Sequence, residues 1–329
     1  MSRIVVTGAG GFIGHHLVTR LKQLGHWVRG IDLKRPEYAP TAADEFIVDD
    51  LREPSAALAA ARGIDDVYAL AADMGGMGYI SAHHALILHN NSLINLNTLE
   101  AARAAGVKRY LYTSSACVYP EFKQNDTAVT PLKEEDAYPA QPQDAYGWEK
   151  LITERLCAHY REDYGIATRI VRFHNIFGPL GTWDGGREKA PAAMCRKVAI
   201  AKLTGQREIE IWGDGQQTRS FCYIDDCLDG LMRLMASDYP HPLNLGQDRL
   251  VTIDQLADIV SEIAGVTLAK RHVPGPQGVR GRNSDNTRLR QTLGWEPQVS
   301  LETGLSRTYA WIEEQVRQSI AASTGAGVR

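Results

Sequence analysis

Near its amino end the chain carries Gly8-Ala9-Gly10-Gly11-Phe12-Ile13-Gly14 between an apolar run and an amphipathic stretch in which Phe12, Leu17, Leu21 and Leu24 share a helical face before Gly25. Glycines at 8, 11 and 14 give GxxGxxG spacing after a strand and into a helix. Such a turn brings backbone close to an anion and aims the free N–H groups of a helix N-terminus at it. Gly8, Gly11, Phe12, Ile13 and Gly14 are therefore candidates to cradle the pyrophosphate of a dinucleotide. Asp32 closes the next apolar run, where a carboxylate accepts from the hydroxyls of an adenosine ribose and repels a 2′-phosphate. That predicts NAD as cofactor in preference to NADP, with Lys34 and Arg35 as neighbouring cations that argue the other way. Asp50 and Leu51 follow a third run and are placed to meet the adenine. Leu70, Ala71 and Ala72 follow a fourth, and are small enough at the end to let a cofactor approach the backbone.

Short apolar runs alternate with amphipathic stretches through the first half of the chain. Strands are expected over residues 4–7, 27–32, 45–48, 66–71, 109–114 and 168–173. This is the βα rhythm of a parallel sheet. It predicts an α/β chain, with a Rossmann-type doubly wound parallel sheet over residues 1–176. Past Phe177 the rhythm breaks into glycine, proline and charge. A helix over 221–234 and a strand over 242–245 are expected to rejoin the sheet, so that 221–246 belong with the first domain. Residues 177–220 and 247–318 then form a smaller C-terminal substrate-binding domain. Helices are expected over 253–264 and 305–320, and a flexible tail over 319–329. Ile152, Leu156 and Tyr160 recur at helical spacing and define an apolar face.

Charge narrows the partners. Lys plus Arg (36) nearly balances Asp plus Glu (39), which argues against a broad nucleic-acid footprint. No apolar stretch approaches the roughly 18 residues of a membrane helix, and Met1 leads into a strand pattern without a signal-peptide pattern. Cys117, Cys157, Cys195, Cys222 and Cys227 lack metal spacing and are read as reduced thiols. His83, His84 and His89 have no carboxylate at ligand spacing. The expectation is a cytoplasmic protein with no metal site.

Tyr146-Gly147-Trp148-Glu149-Lys150 sets a phenol and an ammonium four residues apart on one helix face. A neighbouring ammonium favours a phenolate and lowers its pKa, which suits a proton acceptor. Thr113-Ser114-Ser115 ends the fifth strand, at the sheet edge where ligands bind. With the glycine turn, strand-end serine and YxxxK in this order, the chain resembles the extended short-chain dehydrogenase/reductase family, which acts largely on nucleotide-diphosphate sugars. The resemblance implies a Ser115, Tyr146, Lys150 triad, in which Ser115 hydrogen-bonds the reacting hydroxyl. It also implies a second domain closing over the nucleotide sugar.

Four stretches narrow the likeness: Ala71-Ala72-Asp73-Met74-Gly75-Gly76-Met77-Gly78, Ser114-Ser115-Ala116-Cys117-Val118-Tyr119-Pro120-Glu121-Phe122, Gly185-Gly186-Arg187-Glu188-Lys189-Ala190-Pro191, and Gly278-Val279-Arg280-Gly281-Arg282-Asn283-Ser284-Asp285-Asn286. Together they resemble the branch of the family that inverts C3 and C5 of GDP-mannose through a transient 4-ketone. The implied products are GDP-L-galactose, GDP-L-gulose or both. A C4 ketone acidifies the hydrogens on both flanking carbons, and each inversion needs a base on one face and an acid on the other. The likeness assigns Cys117 and Lys189 to that pair. Lys197, Arg219 and Arg282 are candidates for the diphosphate and sugar, because guanidinium forks suit phosphate oxygens. The likeness adds Gln217 and Thr218, and Gly75, Ala116, Asn175, Glu188 and Ala190 complete the expected substrate contacts.

Other readings stand beside this one. A 4-epimerase of the same family needs no second acid–base pair, and a 4,6-dehydratase usually has an Asp-Glu pair where Ala116-Cys117 stand. A non-catalytic NAD sensor tends to lose the YxxxK pair. GDP-mannose and related GDP-hexoses are thus the expected ligands. The likeness also implies a homodimer through helices around 84–105 and 146–163.

Overall fold

The computed structural model describes residues 1–276 and 278–325. Its first part runs β1 (Arg3–Thr7), α1 (Phe12–Gln23), β2 (Trp27–Asp32), β3 (Glu45–Val48), α2 (Pro54–Ala61), β4 (Asp66–Ala69), α3 (Met77–Ala82), α4 (His84–Ala104), β5 (Arg109–Ser115), α5 (Ala145–Tyr164) and β6 (Ala167–Phe173). The chain continues with β7 (Ile176–Phe177), α6 (Ala190–Thr204), β8 (Glu208–Trp212), β9 (Thr218–Arg219), β10 (Cys222–Tyr223), α7 (Ile224–Ala236) and β11 (Pro242–Leu245). It closes with β12 (Val251–Thr252), α8 (Ile253–Ala264), β13 (Ala269–Val273), β14 (Gly281–Arg282), α9 (Thr287–Leu293) and α10 (Leu301–Gly325).

Seven strands form one parallel sheet in the order β11-β6-β5-β4-β1-β2-β3. The order reverses at β1, with β2 on one side and β4 on the other, which opens a crevice beyond the strand ends. Side chains alternate across the sheet. Ile4 and Val6 join the core that includes α7, whereas Val5 joins the core under α2 and α4. Both faces are covered, as a parallel sheet requires.

Strand β11 pairs with β6, Pro242 opposite Ile170 through Leu245 opposite Phe173, so the chain does return to the sheet after its excursion. Several boundaries differ from those read in the sequence. Strand β4 stops at Ala69 because the Thr7 hydroxyl accepts from the N–H groups of Leu70 and Ala71, at 3.0 and 3.1 Å. The stretch before α7 holds β10, which pairs with β7. Helix α10 continues to Gly325 instead of ending at 320, through the helix-favouring Ala321 and Ala322; residues 326–329 of the expected tail lie outside the described residues.

One predicted face is only partly right: Leu156 and Tyr160 pack against the core. Ile152, in the apolar stripe read on α5, is 59% exposed, while the buried side carries Glu149, Lys150, Leu151, Glu154 and Cys157. Charge is buried there because each charged group has a partner: Arg172 forks onto Glu154 at 2.7 and 2.8 Å.

Candidate active site

A cleft of about 1120 Å³ opens at the carboxyl ends of β1, β4, β5 and β6 and reaches under α6, β8 and β14. Every cofactor residue expected from the sequence lines it: Gly8, Gly11, Phe12, Ile13, Gly14, Asp32, Asp50, Leu51, Leu70, Ala71 and Ala72. Helix α1 begins at Gly11 with no side-chain cap and no acid in its first turn, so its free N–H groups face the cleft without a competing acceptor. A Cβ on Gly14 would lie 2.1 Å from the Gly8 carbonyl oxygen, so only glycine lets the turn close. Gly10, outside the GxxGxxG frame, donates its N–H to Asp32 Oδ2 at 3.0 Å and ties the turn to the carboxylate. Burial pushes the Asp32 carboxyl up, and the N–H groups of Gly10 and Lys34 pull it back. Lys34 is paired with Glu37 at 3.0 Å and Arg35 lies over Phe46, so both cations have other partners. Asp50 is gripped by Arg52. These residues fit a dinucleotide without a 2′-phosphate: a bare helix N-terminus for the pyrophosphate and a carboxylate for the ribose.

Deeper in the cleft, α5 and the turn after β5 bring Tyr146, Ser115 and Cys117 together. The Ser115 hydroxyl faces the Tyr146 phenol, and its Oγ accepts the Cys117 N–H at 3.1 Å. Lys150 lies 5.3 Å from the centre of the Tyr146 ring. The expected lowering of the Tyr146 pKa does not appear: burial, then Cys117, Glu149 and Asp144, push the phenol well up, and Ser115 pulls it down. Glu149 explains why Lys150 does so little. Its carboxylate sits 3.5 Å from the same ammonium and offsets that charge, held by Asn91 at 3.0 Å and Asn95 at 2.9 Å.

Lys189 arrives from the opposite wall, immediately before α6. Its loop is fastened across the cleft: Gly76 N–H donates to the Arg187 carbonyl at 3.1 Å, and the Arg187 guanidinium lies 3.9 Å from the centre of the Tyr79 ring. Lys189 is exposed by accessible surface, but the surface it shows lines the cleft, where protein is dense around it. That crowding pushes its ammonium down, and Cys117 pulls it part of the way back.

The remaining expected contacts divide. Gly75, Ala116, Asn175, Glu188, Ala190, Lys197, Gln217, Arg219 and Arg282 line the cleft. The Glu188 carboxylate is already engaged by Arg196 and the Gly186 N–H, each at 2.7 Å. Lys197 donates to the Glu210 carbonyl at 2.7 Å. Asn175 sits at a left-handed turn, φ 48°, with its amide on the Ser220 carbonyl. Thr218 does not reach the cleft. Alternation along β9 turns it the other way, and its hydroxyl donates to the Thr127 carbonyl at 2.6 Å. Arg219 and Arg282 make the wall cationic; burial and then Arg282 push Arg219 down to about 9. Gln217 Oε1 is buried without a protein partner, an acceptor left for a ligand donor.

Gly10, Gln124, Gly147 and Glu149 were not singled out in the sequence, since each acts through a contact made only on folding. Among the described residues no group of three His, Cys, Asp or Glu is placed to hold a metal, and no helix is long and apolar enough to cross a membrane.

Comparison with known proteins agrees with this geometry. Residues 4–246 match the NAD dependent epimerase/dehydratase family. The chain is 53% identical over 318 residues to GDP-mannose 3,5-epimerase 1 of Oryza sativa subsp. japonica, covering 96% of this chain and 83% of that one. It is 52% identical over 321 residues to GDP-mannose 3,5-epimerase of Arabidopsis thaliana, covering 97% and 84%. Among solved structures, UDP-glucose 4-epimerase of Thermotoga maritima with UDP-glucose superposes with TM-score 0.86 at 26% identity, covering 95% of this chain and 99% of that one. With its glycine turn, the Asp32 carboxylate and the Tyr146–Lys150 pair in one cleft, and with that match over most of its length, the chain belongs to the NAD dependent epimerase/dehydratase family.

Proposed function

We propose that the protein is an isomerase that converts GDP-mannose to GDP-L-galactose, with GDP-L-gulose as a second product, by inverting C5 and C3. The observation that carries this reading is the meeting of a thiol, an ammonium and a tyrosine: Cys117 and Lys189 line the cleft from different loops, Cys117 faces the Tyr146 phenol, and Lys189 faces Cys117. A 4-epimerase leaves that pair idle. Near-full-length identity of 53% to a GDP-mannose 3,5-epimerase supports the substrate.

NAD, when bound, supplies the acceptor for the C4 hydride and returns the hydride after inversion. Tyr146 takes the C4 hydroxyl proton while Ser115 holds that oxygen, with the Lys150 ammonium beside the phenol ring. With C4 a ketone, the hydrogens on C3 and C5 become acidic. Cys117 and Lys189 then remove a proton from one face and deliver one to the other, each step worth roughly 10²–10⁴-fold. The lowered Lys189 pKa suits this exchange, because the amine and ammonium are both populated closer to neutrality. Lys197, Arg219 and Arg282 hold the diphosphate and sugar, and Gln217 adds a further contact.

In this reading residues 1–176 with 221–246 bind the cofactor and the rest binds the sugar nucleotide. The protein works in the cytoplasm as a homodimer. Leu88 and Leu96 on α4 and Trp148 and Ile152 on α5 are exposed apolar side chains on two adjacent helices, a surface suited to a second copy.

The test is incubation of the purified protein with GDP-mannose in heavy water, followed by mass spectrometry and separation of the products. Deuterium at C3 and C5 with GDP-L-galactose formed supports the reading. No deuterium uptake and no new sugar sinks it.

A further inference from the structure

Cys117 is the half-buried thiol of the chain; Cys157, Cys195, Cys222 and Cys227 are fully covered. Its sulfur accepts from Arg282 Nη1 at 3.3 Å. That contact sets one edge of the guanidinium against the sulfur. Arginine side chains are long and flexible, so something must hold this one. On its other edge, Arg282 Nε donates to Gln124 Oε1 at 2.6 Å.

Gln124 is 0% exposed and makes every hydrogen bond its amide allows. Its Nε2 donates to the carbonyls of Tyr119 and Pro120, at 3.1 and 3.2 Å. Two carbonyls on one side require the nitrogen there, so the oxygen must face the guanidinium. The Gln124 backbone carbonyl accepts from Arg280 and Gly281, at 3.0 and 3.2 Å, which docks the strand bearing Arg282 on the segment that follows Cys117. A Cβ on Gly281 would stand 2.2 Å from the Asp126 carbonyl oxygen, so this docking leaves little room to slide.

We propose that Gln124 is a positioning residue for the reaction: it locks the Arg282 guanidinium edge-on against Cys117, so that the thiol is held ready to exchange a proton with the sugar. The proposal rests on the reading in which Cys117 acts at C3 or C5. Other groups that face Cys117 are Tyr146 on α5, Lys189 ahead of α6 and Arg219 on β9. Arg282 is the one that hydrogen-bonds the sulfur.

The experiment is the pH profile of iodoacetamide alkylation at Cys117, followed by mass spectrometry, in the intact protein. Gln124→Met keeps the volume and removes the acceptor. Its alkylation on the acid side of the profile is expected to be roughly tenfold slower than in the wild type, with far-ultraviolet circular dichroism unchanged. Arg282→Met sets the scale for losing the cation. A folded Gln124→Met whose profile superposes on the wild type overturns the proposal, even if its melting temperature falls. Should Gln124→Met not fold, Gln124→Asn leaves the amide one methylene short of Arg282 and is read by the same two outcomes. Because alkylation needs no sugar, a shifted profile with an inactive substrate assay separates failure of the functional reading from failure of the clamp.

Discussion

The carbonyl oxygen of Cys117 lies 2.2 Å from where a Cβ on Gly147 would stand. The first turn of α5 therefore rests directly on the turn that carries the thiol, with Tyr146 one residue before the contact. Gly147→Ala sets a helix-propensity gain of up to about 1 kcal/mol against overpacking of typically about 1–3 kcal/mol. Backbone cannot rotate away as a side chain can, so the clash wins. The variant is expected to unfold at lower denaturant concentration and to lose at least tenfold in kcat; wild-type kcat would show that the spacing of Tyr146 and Cys117 does not matter.

Cys117→Ala and Tyr146→Phe separate the two halves of the chemistry. Cys117→Ala is expected to keep its NAD and abolish inversion, and full epimerase activity removes the thiol from the mechanism. Tyr146→Phe is expected to block oxidation at C4, so a transient NADH absorbance in that variant counts against the role given to the phenol.

Asp32→Ala removes both the ribose acceptor and the partner of the Gly10 N–H. Loss of that hydrogen bond alone costs about 0.5–1.5 kcal/mol. The purified variant is expected to carry less NAD than the wild type, measured by release on denaturation. Equal cofactor content would place the ribose elsewhere.

Lys189 links function to stability. Its folded-state pKa lies below 10.5, the ordinary value. The folded state therefore binds that proton less tightly than the unfolded chain. At neutral pH the charge opposes folding, and the penalty fades as pH rises through the window from the lowered value to 10.5. Lys189→Met is expected to melt at higher temperature than wild type at pH 7, with the difference narrowing by pH 10. A Lys189→Met variant that is no more stable at pH 7 would mean the ammonium is well solvated.

The contrast between α1 and α5 marks what could be read in advance. In α1, Leu17 and Leu21 are buried as their spacing indicates, Leu24 at the helix end is 58% exposed, and the glycine turn before them leads into the cleft. In α5 the same reasoning chose Ile152, which is exposed, over a face that buries Glu149, Lys150 and Glu154. Hydrophobic period fails where buried charges are paired by residues far away, here Asn91, Asn95 and Arg172. Thr218 fails for a smaller reason: a two-residue strand shows no period, so its direction away from the cleft was invisible.

The sequence by itself determined the parallel sheet, the glycine turn after β1, the carboxylate that closes β2 and the spacing of Tyr146 and Lys150. Those depend on local spacing: two for strands, 3.6 for helices, and glycines where backbone must approach an anion. Only the tertiary structure decided how the chemistry is poised. It set Gly147 on the Cys117 carbonyl, Glu149 against Lys150, the Lys189 loop onto Gly76, and Gln124 behind Arg282. Each joins segments separated along the chain or turned inward by packing. Their charges and hydrogen bonds acquire their strength from burial, which no local pattern of residues records.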